Sequence, residues 1–404
     1  FTLKMHHRFS EPVKRWFPEK GSVEYYSQLA NHDKIFRGRR LLTFSDGNSS
    51  FRISSLGFLH YTTVSLGTPG QKFMVALDTG SDLFWVPCDC TRCASDFKLS
   101  IYSPTRSSTS KKLTCNHSMC RHDCEESNTC PYSVSYVSSQ TSTSGILMED
   151  LLHLETEDEI IDAFVTFGCG QVQSGSFLDI AAPNGLFGLG LEKISVPSIL
   201  SREGYTSDSF SMCFGHDGTG RITFGDKGNP EQDVTPFNLD PTYNITVTEV
   251  RVGSSIDSSF SALFDSGTSF TYLIDPHYTR LTQRFHVQTK DSRDQRIPFE
   301  YCYDMSPYAN TSLIPSISLT MKGEGQFFIY DPVIVISTNR EVVYCLAVIK
   351  STELNIIGQN FMTGYRIVFD REELILGWRK SDCYDIENST DSSSKPLNPP
   401  PAVA

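Results

Sequence analysis

Two short motifs with matching flanks carry the side chains best placed to do chemistry. Each follows a mostly apolar run and has the form Asp-Thr/Ser-Gly-Ser/Thr, and the two copies lie 187 residues apart. They read Asp78-Thr79-Gly80-Ser81, after Met74–Leu77, and Asp265-Ser266-Gly267-Thr268, after Ser261–Phe264. An apolar strand that ends in Asp carries a carboxylate out of a dry interior, and the glycine allows a sharp turn there.

The residues around each Asp suit general acid–base catalysis. The hydroxyl between Asp and Gly can hydrogen-bond to the other copy, and Ser81 and Thr268 can orient the carboxylates. Two carboxylates about 3 Å apart cannot both ionise readily, so they share one proton and divide the roles of acid and base. A single copy would also fit a buried Asp that closes a turn, whereas the matched pair favours catalysis by Asp78 and Asp265. This chemistry needs no metal, other cofactor or covalent intermediate.

The elements that must position these motifs are predicted to be short strands. From about Leu56 onwards, β-branched and aromatic runs end at Gly, Pro, Asp or Ser. The predicted strands are Leu59–Leu66, Phe73–Leu77, Ile146–Leu154, Ala163–Phe167, Arg221–Phe224, Asn244–Val252, Gln326–Ile336 and Val342–Ile349. Only two short helices are predicted, Ser195–Arg202 and Pro276–Thr289. The sequence lacks the strand–helix alternation of a Rossmann or barrel enzyme, so the body is expected to be mainly β.

Composition indicates a globular body without nucleic-acid affinity. The chain has 404 residues, 39% of them hydrophobic, which is enough for two lobes of ordinary size. Its net charge is −12, but residues 1–52 hold ten Lys or Arg against five Asp or Glu. A basic leader therefore precedes an acidic body that would repel phosphate, which argues against a nucleic-acid partner.

An internal repeat extends beyond the two Asp motifs. Each motif is followed, roughly a hundred residues later, by two apolar residues and a glycine, in Leu186-Phe187-Gly188 and Ile356-Ile357-Gly358. With the motifs, this repeat resembles the pepsin family of aspartic proteases, and the resemblance extends from Leu59 to Cys383. It implies a mainly β, bilobal, pepsin-like acid protease fold, with a catalytic cleft between two β lobes related by a pseudo-twofold axis.

The resemblance divides the chain into four parts. Residues 1–55 are expected to be a propeptide-like basic leader, and residues 56–228 an N-terminal β lobe with a cysteine-rich insert at 88–130. Residues 229–386 form the expected C-terminal β lobe. Residues 387–404 are rich in Ser and Pro and read as a disordered tail.

A tyrosine and a tryptophan are candidates for the lid of the cleft. In the family a β-hairpin flap carries a tyrosine over the cleft, and Tyr136 aligns best with it. The glycines that usually follow are replaced here by Val137, Ser138 and Ser139, which puts the mobility of the flap in doubt. Trp85 is expected to pack behind the flap. An ordinary core tyrosine in a hairpin and a plain core tryptophan are the alternatives.

Twelve cysteines indicate an oxidising compartment, and seven of them lie within the insert. A zinc cluster is conceivable, but the spacing favours disulfides. The insert resembles that of plant nepenthesins, and the resemblance implies six pairs: Cys88–Cys90, Cys93–Cys169, Cys115–Cys130, Cys120–Cys124, Cys213–Cys383 and Cys302–Cys345. Five sequons for N-glycosylation begin at Asn48, Asn116, Asn244, Asn310 and Asn388.

These features predict a monomeric secretory-pathway endopeptidase, located outside the cell, at its surface or in a vacuole. Its expected partners are a peptide or protein substrate in the cleft and its own leader as an inhibitor, anchored by Phe1, Met5, Phe9, Trp16 and Phe17. A disordered arm is the alternative for the leader. The tail could precede a lipid anchor, the only expected link to a membrane, or be a soluble stalk. A secreted inhibitor or cell-surface binding protein on the same fold is the rival function.

Overall fold

A computed structural model gives the structure of most of the chain. The described residues are 1–6, 44–45, 50–51, 60–94, 100–121, 124, 128–136, 141–156, 159–178, 182, 184–216, 219–239, 242–289, 293–294, 299–304, 314–337 and 342–384. Within them the chain is mainly β and has the two-lobed pepsin-like architecture, so the predicted fold class is confirmed.

The first half of the chain contains thirteen strands and one α-helix among the described residues. The strands are β1 (Thr2–His6), β2 (Phe44–Ser45), β3 (Ser50–Phe51), β4 (His60–Leu66), β5 (Gln71–Asp78), β6 (Trp85–Arg92), β7 (Lys111–Lys112), β8 (Pro131–Ser135), β9 (Ser142–Glu155), β10 (Ile160–Ser174), β11 (Leu186–Gly188), β12 (Ser209–Phe214) and β13 (Thr219–Phe224). Helix α1 spans Val196–Arg202, and short 3-10 turns span Pro104–Arg106 and Gly175–Leu178.

The second half repeats this β-rich composition. Its described strands are β14 (Asp233–Asn238), β15 (Asn244–Val252), β16 (Ser254–Phe264), β17 (Thr271–Ile274), β18 (Arg293–Asp294), β19 (Cys302–Asp304), β20 (Ile317–Met321), β21 (Gln326–Ile329), β22 (Val333–Ser337), β23 (Val342–Leu346), β24 (Val348–Ser351), β25 (Ile356–Ile357), β26 (Tyr365–Asp370) and β27 (Ile375–Lys380). Helices α2 and α3 span His277–Gln288 and Gln359–Met362.

Proline and a change of pairing explain where two predicted strands differ from the structure. The predicted strand 326–336 is divided into β21 and β22, because Pro332 between them has no N–H to donate to a ladder. The predicted strand 342–349 is divided at Ala347 into β23, which pairs with β22, and β24, which pairs with β17. Both predicted helices form, as α1 and α2, with ends within one residue of those expected.

The two halves meet in a sheet to which each contributes three strands. Its order is β1-β13-β12-β26-β27-β14, all antiparallel. Strand β1 belongs to the predicted leader, and its Leu3 and Met5 side chains are buried against the sheet. The first six residues are thus an ordered edge strand and not a disordered arm. Of the other expected anchors, Phe1 packs against Phe224, and Phe9, Trp16 and Phe17 lie outside the described residues.

All twelve cysteines are paired, but four of the six pairings implied by the resemblance are wrong. The structure forms Cys88–Cys169, Cys90–Cys93, Cys115–Cys124, Cys120–Cys130, Cys213–Cys383 and Cys302–Cys345. The implied pairs Cys88–Cys90, Cys93–Cys169, Cys115–Cys130 and Cys120–Cys124 do not occur, whereas the last two pairs are as implied.

Strand pairing gives the physical reason for the first two differences. Strand β6 runs parallel to β10 with Cys169 opposite Val86, two residues before Cys88, and the Cα atoms of Cys88 and Cys169 lie 4.9 Å apart. Cys90 then finds Cys93, three residues further along its own chain. Within the insert, Cys130 is held beside Leu113 by a 2.9 Å backbone hydrogen bond, and Cys120 reaches it there.

Two of the five sequons fall on described residues. Asn116 is exposed in the insert, and Asn244 is half-buried at the start of β15. Asn48, Asn310 and Asn388 lie outside the described residues, as does the predicted tail. Of the helices in the described part of the chain, none has the length and apolar character needed to cross a membrane.

The new disulfide pairing predicts unequal contributions to stability. The Cys88–Cys169 bridge closes 81 residues, whereas Cys90–Cys93 closes three. Loop-closure entropy assigns about 4 kcal/mol to the first and about 2 kcal/mol or less to the second. We expect the double variant C88A/C169A to lose more unfolding free energy in urea than the matched variant C90A/C93A. Equal losses would contradict this pairing.

Candidate active site

The two Asp motifs lie at the ends of two equivalent strands. In β5, Phe73, Val75 and Leu77 are fully buried, and the strand ends at Asp78, which is only 4% exposed. In the second half, β16 ends at Phe264, and Asp265 follows it directly and is half-buried. Buried strands that end at an aspartate thus bring one carboxylate from each half of the chain to the place where the two motifs meet.

Crossed hydrogen bonds join the two motifs through Thr79 and Ser266. The Thr79 hydroxyl donates to the Phe264 carbonyl at 3.0 Å and accepts from the Ser266 amide at 2.9 Å. The Ser266 hydroxyl donates to the Leu77 carbonyl at 3.1 Å and accepts from the Thr79 amide at 3.1 Å. All four bonds are buried, and they fix one motif relative to the other.

Each carboxylate is also held within its own motif. The Gly80 amide and the Ser81 hydroxyl donate to the two oxygens of Asp78, at 2.9 and 2.5 Å. The Gly267 amide and the Thr268 hydroxyl donate to those of Asp265, at 2.7 and 2.6 Å. These bonds fix the orientation of both carboxylates before any ligand arrives.

The two glycines show how closely the carboxylates approach. A Cβ atom on Gly267 would lie 2.4 Å from Oδ1 of Asp78 and 3.0 Å from Oδ1 of Asp265. A Cβ atom on Gly80 would lie 2.9 Å from Oδ1 of Asp265 and 3.1 Å from Oδ1 of Asp78. Only a residue without a side chain fits at these points, because both carboxylates crowd the same small volume.

Proximity and burial change the acidity of the pair. Burial, together with the negative charge of Asp265, raises the pKa of Asp78 to about 7, although hydrogen bonds from Ser81 and Gly80 act in the opposite direction. A carboxylic acid that stays protonated in weakly acidic solution can act as an acid, while its ionised partner acts as a base.

The two apolar-apolar-glycine segments pair directly with the strands that lead to the two aspartates. Strand β11 runs parallel to β5, and the Leu189 amide donates to the Asp78 carbonyl at 2.8 Å. Strand β25 runs parallel to β16, and the Asp265 amide donates to the Ile357 carbonyl at 3.1 Å. A Cβ atom on Gly358 would lie 2.2 Å from the Phe270 carbonyl, so the glycine permits this close approach.

The predicted flap tyrosine and tryptophan are in contact. Tyr136 follows β8, and the Trp85 indole donates to its hydroxyl at 3.0 Å. Burial and the charge of Asp78 raise the pKa of Tyr136, so its hydroxyl keeps its proton close to the dyad. Trp85 is fully buried, so it belongs to the core as well as contacting Tyr136. Val137, Ser138 and Ser139 lie outside the described residues.

Sequence reasoning missed a third aromatic residue at this position. Phe177, in the 3-10 turn after β10, packs edge-on against Trp85 at 4.9 Å and against Tyr136 at 5.0 Å between ring centroids. It is 2% exposed, and no motif or fixed spacing marks it in the sequence.

Among the described residues, no group of three or more His, Cys, Asp or Glu side chains could hold a metal ion.

Comparison with known proteins extends over both lobes. Residues 60–226 match the family model described as xylanase inhibitor N-terminal, and residues 242–380 match the one described as xylanase inhibitor C-terminal. Aspartyl protease family protein 1 of Arabidopsis thaliana is 52% identical over 99% of this chain and 86% of that protein. Aspartic proteinase-like protein 1 of the same plant is 38% identical over 95% and 82%. Aspartic proteinase nepenthesin-2 of Nepenthes gracilis is 28% identical over 79% and 77%.

The two β lobes and the paired Asp motifs define the pepsin-like class of protein. Within that class, this chain belongs to the aspartyl protease family. The family resemblance seen in the sequence is therefore confirmed, including its likeness to the nepenthesins.

The crossed hydrogen bonds predict a large effect of a small substitution. Thr79→Val keeps the shape of the side chain but leaves the Phe264 carbonyl and the Ser266 amide without their buried partner. We expect a loss of about 2–4 kcal/mol in unfolding free energy, measured in urea. The matched control is Thr235→Val, which is equally buried but removes only one bond, to the Lys322 carbonyl, and should cost about half as much. Equal losses would show that the bonds across the motifs have no special weight.

The raised pKa of Asp78 predicts that the site weakens the fold as pH increases. Between pH 3.8 and about 7 the unfolded chain releases this proton while the folded chain retains it, so the folded state loses relative stability with rising pH. The variant Asp78→Asn should therefore gain stability over the parent across this window, measured by urea unfolding at several pH values. Asp275→Asn should instead be less stable than the parent by an amount that stays constant above pH 3.8 and shrinks only below it, because hydrogen bonds from Lys350 and Thr279 lower the pKa of Asp275. A difference for Asp78→Asn that does not vary with pH would refute this.

Proposed function

We propose that this protein is an aspartic endopeptidase that hydrolyses peptide bonds with a water molecule activated by Asp78 and Asp265. The observation that carries the proposal is the convergence of two oriented carboxylates, one of which has a pKa raised to about 7. The family to which the chain belongs supports the same activity.

The geometry supports a mechanism with one shared proton. The ionised carboxylate removes a proton from water, the oxygen attacks the scissile carbonyl carbon, and the protonated carboxylate donates its proton to the carbonyl oxygen. A neutral tetrahedral intermediate forms. Its carbon–nitrogen bond then breaks as the newly protonated carboxylate gives its proton to the leaving amine. The other carboxylate takes a proton from a hydroxyl of the intermediate, which becomes the carboxylic acid product, and the dyad is again singly protonated. Tyr136, held by Trp85, would cover the reacting groups and limit access of bulk water.

A binding protein that lacks catalysis is the second candidate function. It is favoured by the descriptions of the two matching family models, which refer to xylanase inhibitors. The replacement of the flap glycines by Val137, Ser138 and Ser139 also favours it. Against it stand both aspartates and the full set of hydrogen bonds that orient them, which a pure binding role does not need.

We infer from the disulfides that the protein works in an oxidising compartment: outside the cell, at its surface or in a vacuole. Six bridges, with no free cysteine, are unusual for a reduced cytosol and support secretion. The exposed Asn116 is a candidate for glycosylation in that pathway. In the same proposal the protein is a monomer, the leader inhibits its acidic cleft, and any membrane contact is made through a lipid anchor after the tail.

Substitution of either aspartate separates the two candidate functions. A peptidase assay between about pH 3 and 6, with a pepstatin-type inhibitor, should show activity that falls roughly 10²–10⁴-fold in Asp78→Asn and in Asp265→Asn. The parent should also lose activity above pH 7, because the pair then gives up its shared proton. Asp162→Asn, whose side chain on β10 is 52% exposed, is the matched control and should retain activity. Activity that survives substitution in the dyad would overturn the mechanism, and a folded parent that stays inactive even after its leader has been removed would favour the binding protein.

A further inference from the structure

Tyr243 connects the backbones that carry the two catalytic aspartates. Its carbonyl accepts a hydrogen bond from the Phe264 amide at 3.2 Å, and Phe264 directly precedes Asp265. Its hydroxyl donates to the Leu189 carbonyl at 2.6 Å, and the Leu189 amide donates to the Asp78 carbonyl at 2.8 Å. A continuous path therefore runs from one catalytic strand to the other through a single side chain.

The surroundings of Tyr243 hold its ring in one place. The residue is completely buried, and burial raises the pKa of its hydroxyl, which keeps the proton that it donates. Its ring packs edge-on against Phe369 at 4.6 Å and against Phe237 at 5.3 Å, both in the sheet shared by the lobes. A side chain packed between aromatic rings can hold the segments at its two ends a fixed distance apart, because core packing resists compression.

A second side chain from the C-terminal half reaches the same loop. Arg371, whose side chain is 3% exposed, donates to the Ser198 hydroxyl at 2.5 Å and to the Leu191 carbonyl at 3.4 Å. Residues 189–191, which lie behind Asp78, are thus held by the opposite half of the molecule at two points. The crossed bonds of Thr79 and Ser266 go to Phe264, Leu77 and each other, and none of them contacts residues 189–191.

We propose that Tyr243 is a positioning residue that sets the separation of the two catalytic carboxylates by bracing the loop behind Asp78 from the C-terminal lobe. This inference rests on the proposed peptidase function for its kinetic consequences. Its structural part, the support of Leu189 and Asp78, does not depend on catalysis.

The kinetic test uses Tyr243→Phe in the full chain, which removes only the hydroxyl and retains the aromatic packing. We expect kcat to fall roughly tenfold with KM changed less than about twofold, because a small displacement of a reacting group slows chemistry more than it weakens binding. The limbs of the pH–rate profile should also move closer together, since a wider pair interacts less. The matched control is Tyr365→Phe, which removes a buried hydroxyl bound to the Phe328 carbonyl at 2.9 Å within the C-terminal lobe and should leave both readouts unchanged.

A structural test distinguishes failure of this proposal from failure of the proposed function. Amide hydrogen exchange should increase in peptides that contain Leu189 in Tyr243→Phe and should stay at the parent level in Tyr365→Phe, under conditions where both remain folded. Hydrogen exchange can be measured even if the parent has no peptidase activity. An inactive parent would contradict the proposed function but not the structural role of Tyr243. Unchanged exchange at Leu189, or equal kinetic losses in the two variants, would overturn the role of Tyr243.

Discussion

The carboxylates of Asp78 and Asp265 share one small volume and repel each other once both are charged. The structure around them must hold them in place against this repulsion. Backbone amides and hydroxyls from each motif hold the oxygens in place, and Thr79 and Ser266 tie the motifs together. None of these bonds removes the repulsion. They prevent the pair from relaxing apart, so that burial and, after it, the charge of Asp265 raise the pKa of Asp78.

Both halves hold their aspartate in the same arrangement, and they differ in the residues that surround it. Each half offers an apolar strand, an Asp at its end and a parallel segment behind it. Only the first half adds the Trp85, Tyr136 and Phe177 cluster, and Asp78 is the more buried of the two aspartates. A duplicated scaffold thus produces an asymmetric site, in which the carboxylates have unequal environments and can take unequal roles.

The parts of this structure that could be predicted from sequence are those encoded over a few neighbouring residues. The Asp motifs, the β-branched and aromatic runs of the strands and the Trp85–Tyr136 pair depend on local patterns that repeat or match a family. Tyr243 and Phe177 act through contacts with distant segments, and nothing in their immediate sequence distinguishes them from other core aromatics. The disulfide pairing predicted for the insert was wrong for a related reason. Pairing depends on which strands become neighbours, so that Cys88 meets Cys169, 81 residues away, and not the nearby Cys90.

The leader strand β1 forms one edge of the sheet that joins the lobes, and its removal would have a cost. Its five residues pair with Thr219–Thr223, while among the described residues its register partner on the other side is a single residue of β4. Removal of β1 would leave backbone amides and carbonyls of β13 without their partners on that edge. It would also empty the apolar space that Leu3 and Met5 fill. Uncovered sheet edges pair with other chains. Maturation that removes this segment would therefore make the protein prone to aggregate unless another strand took its place.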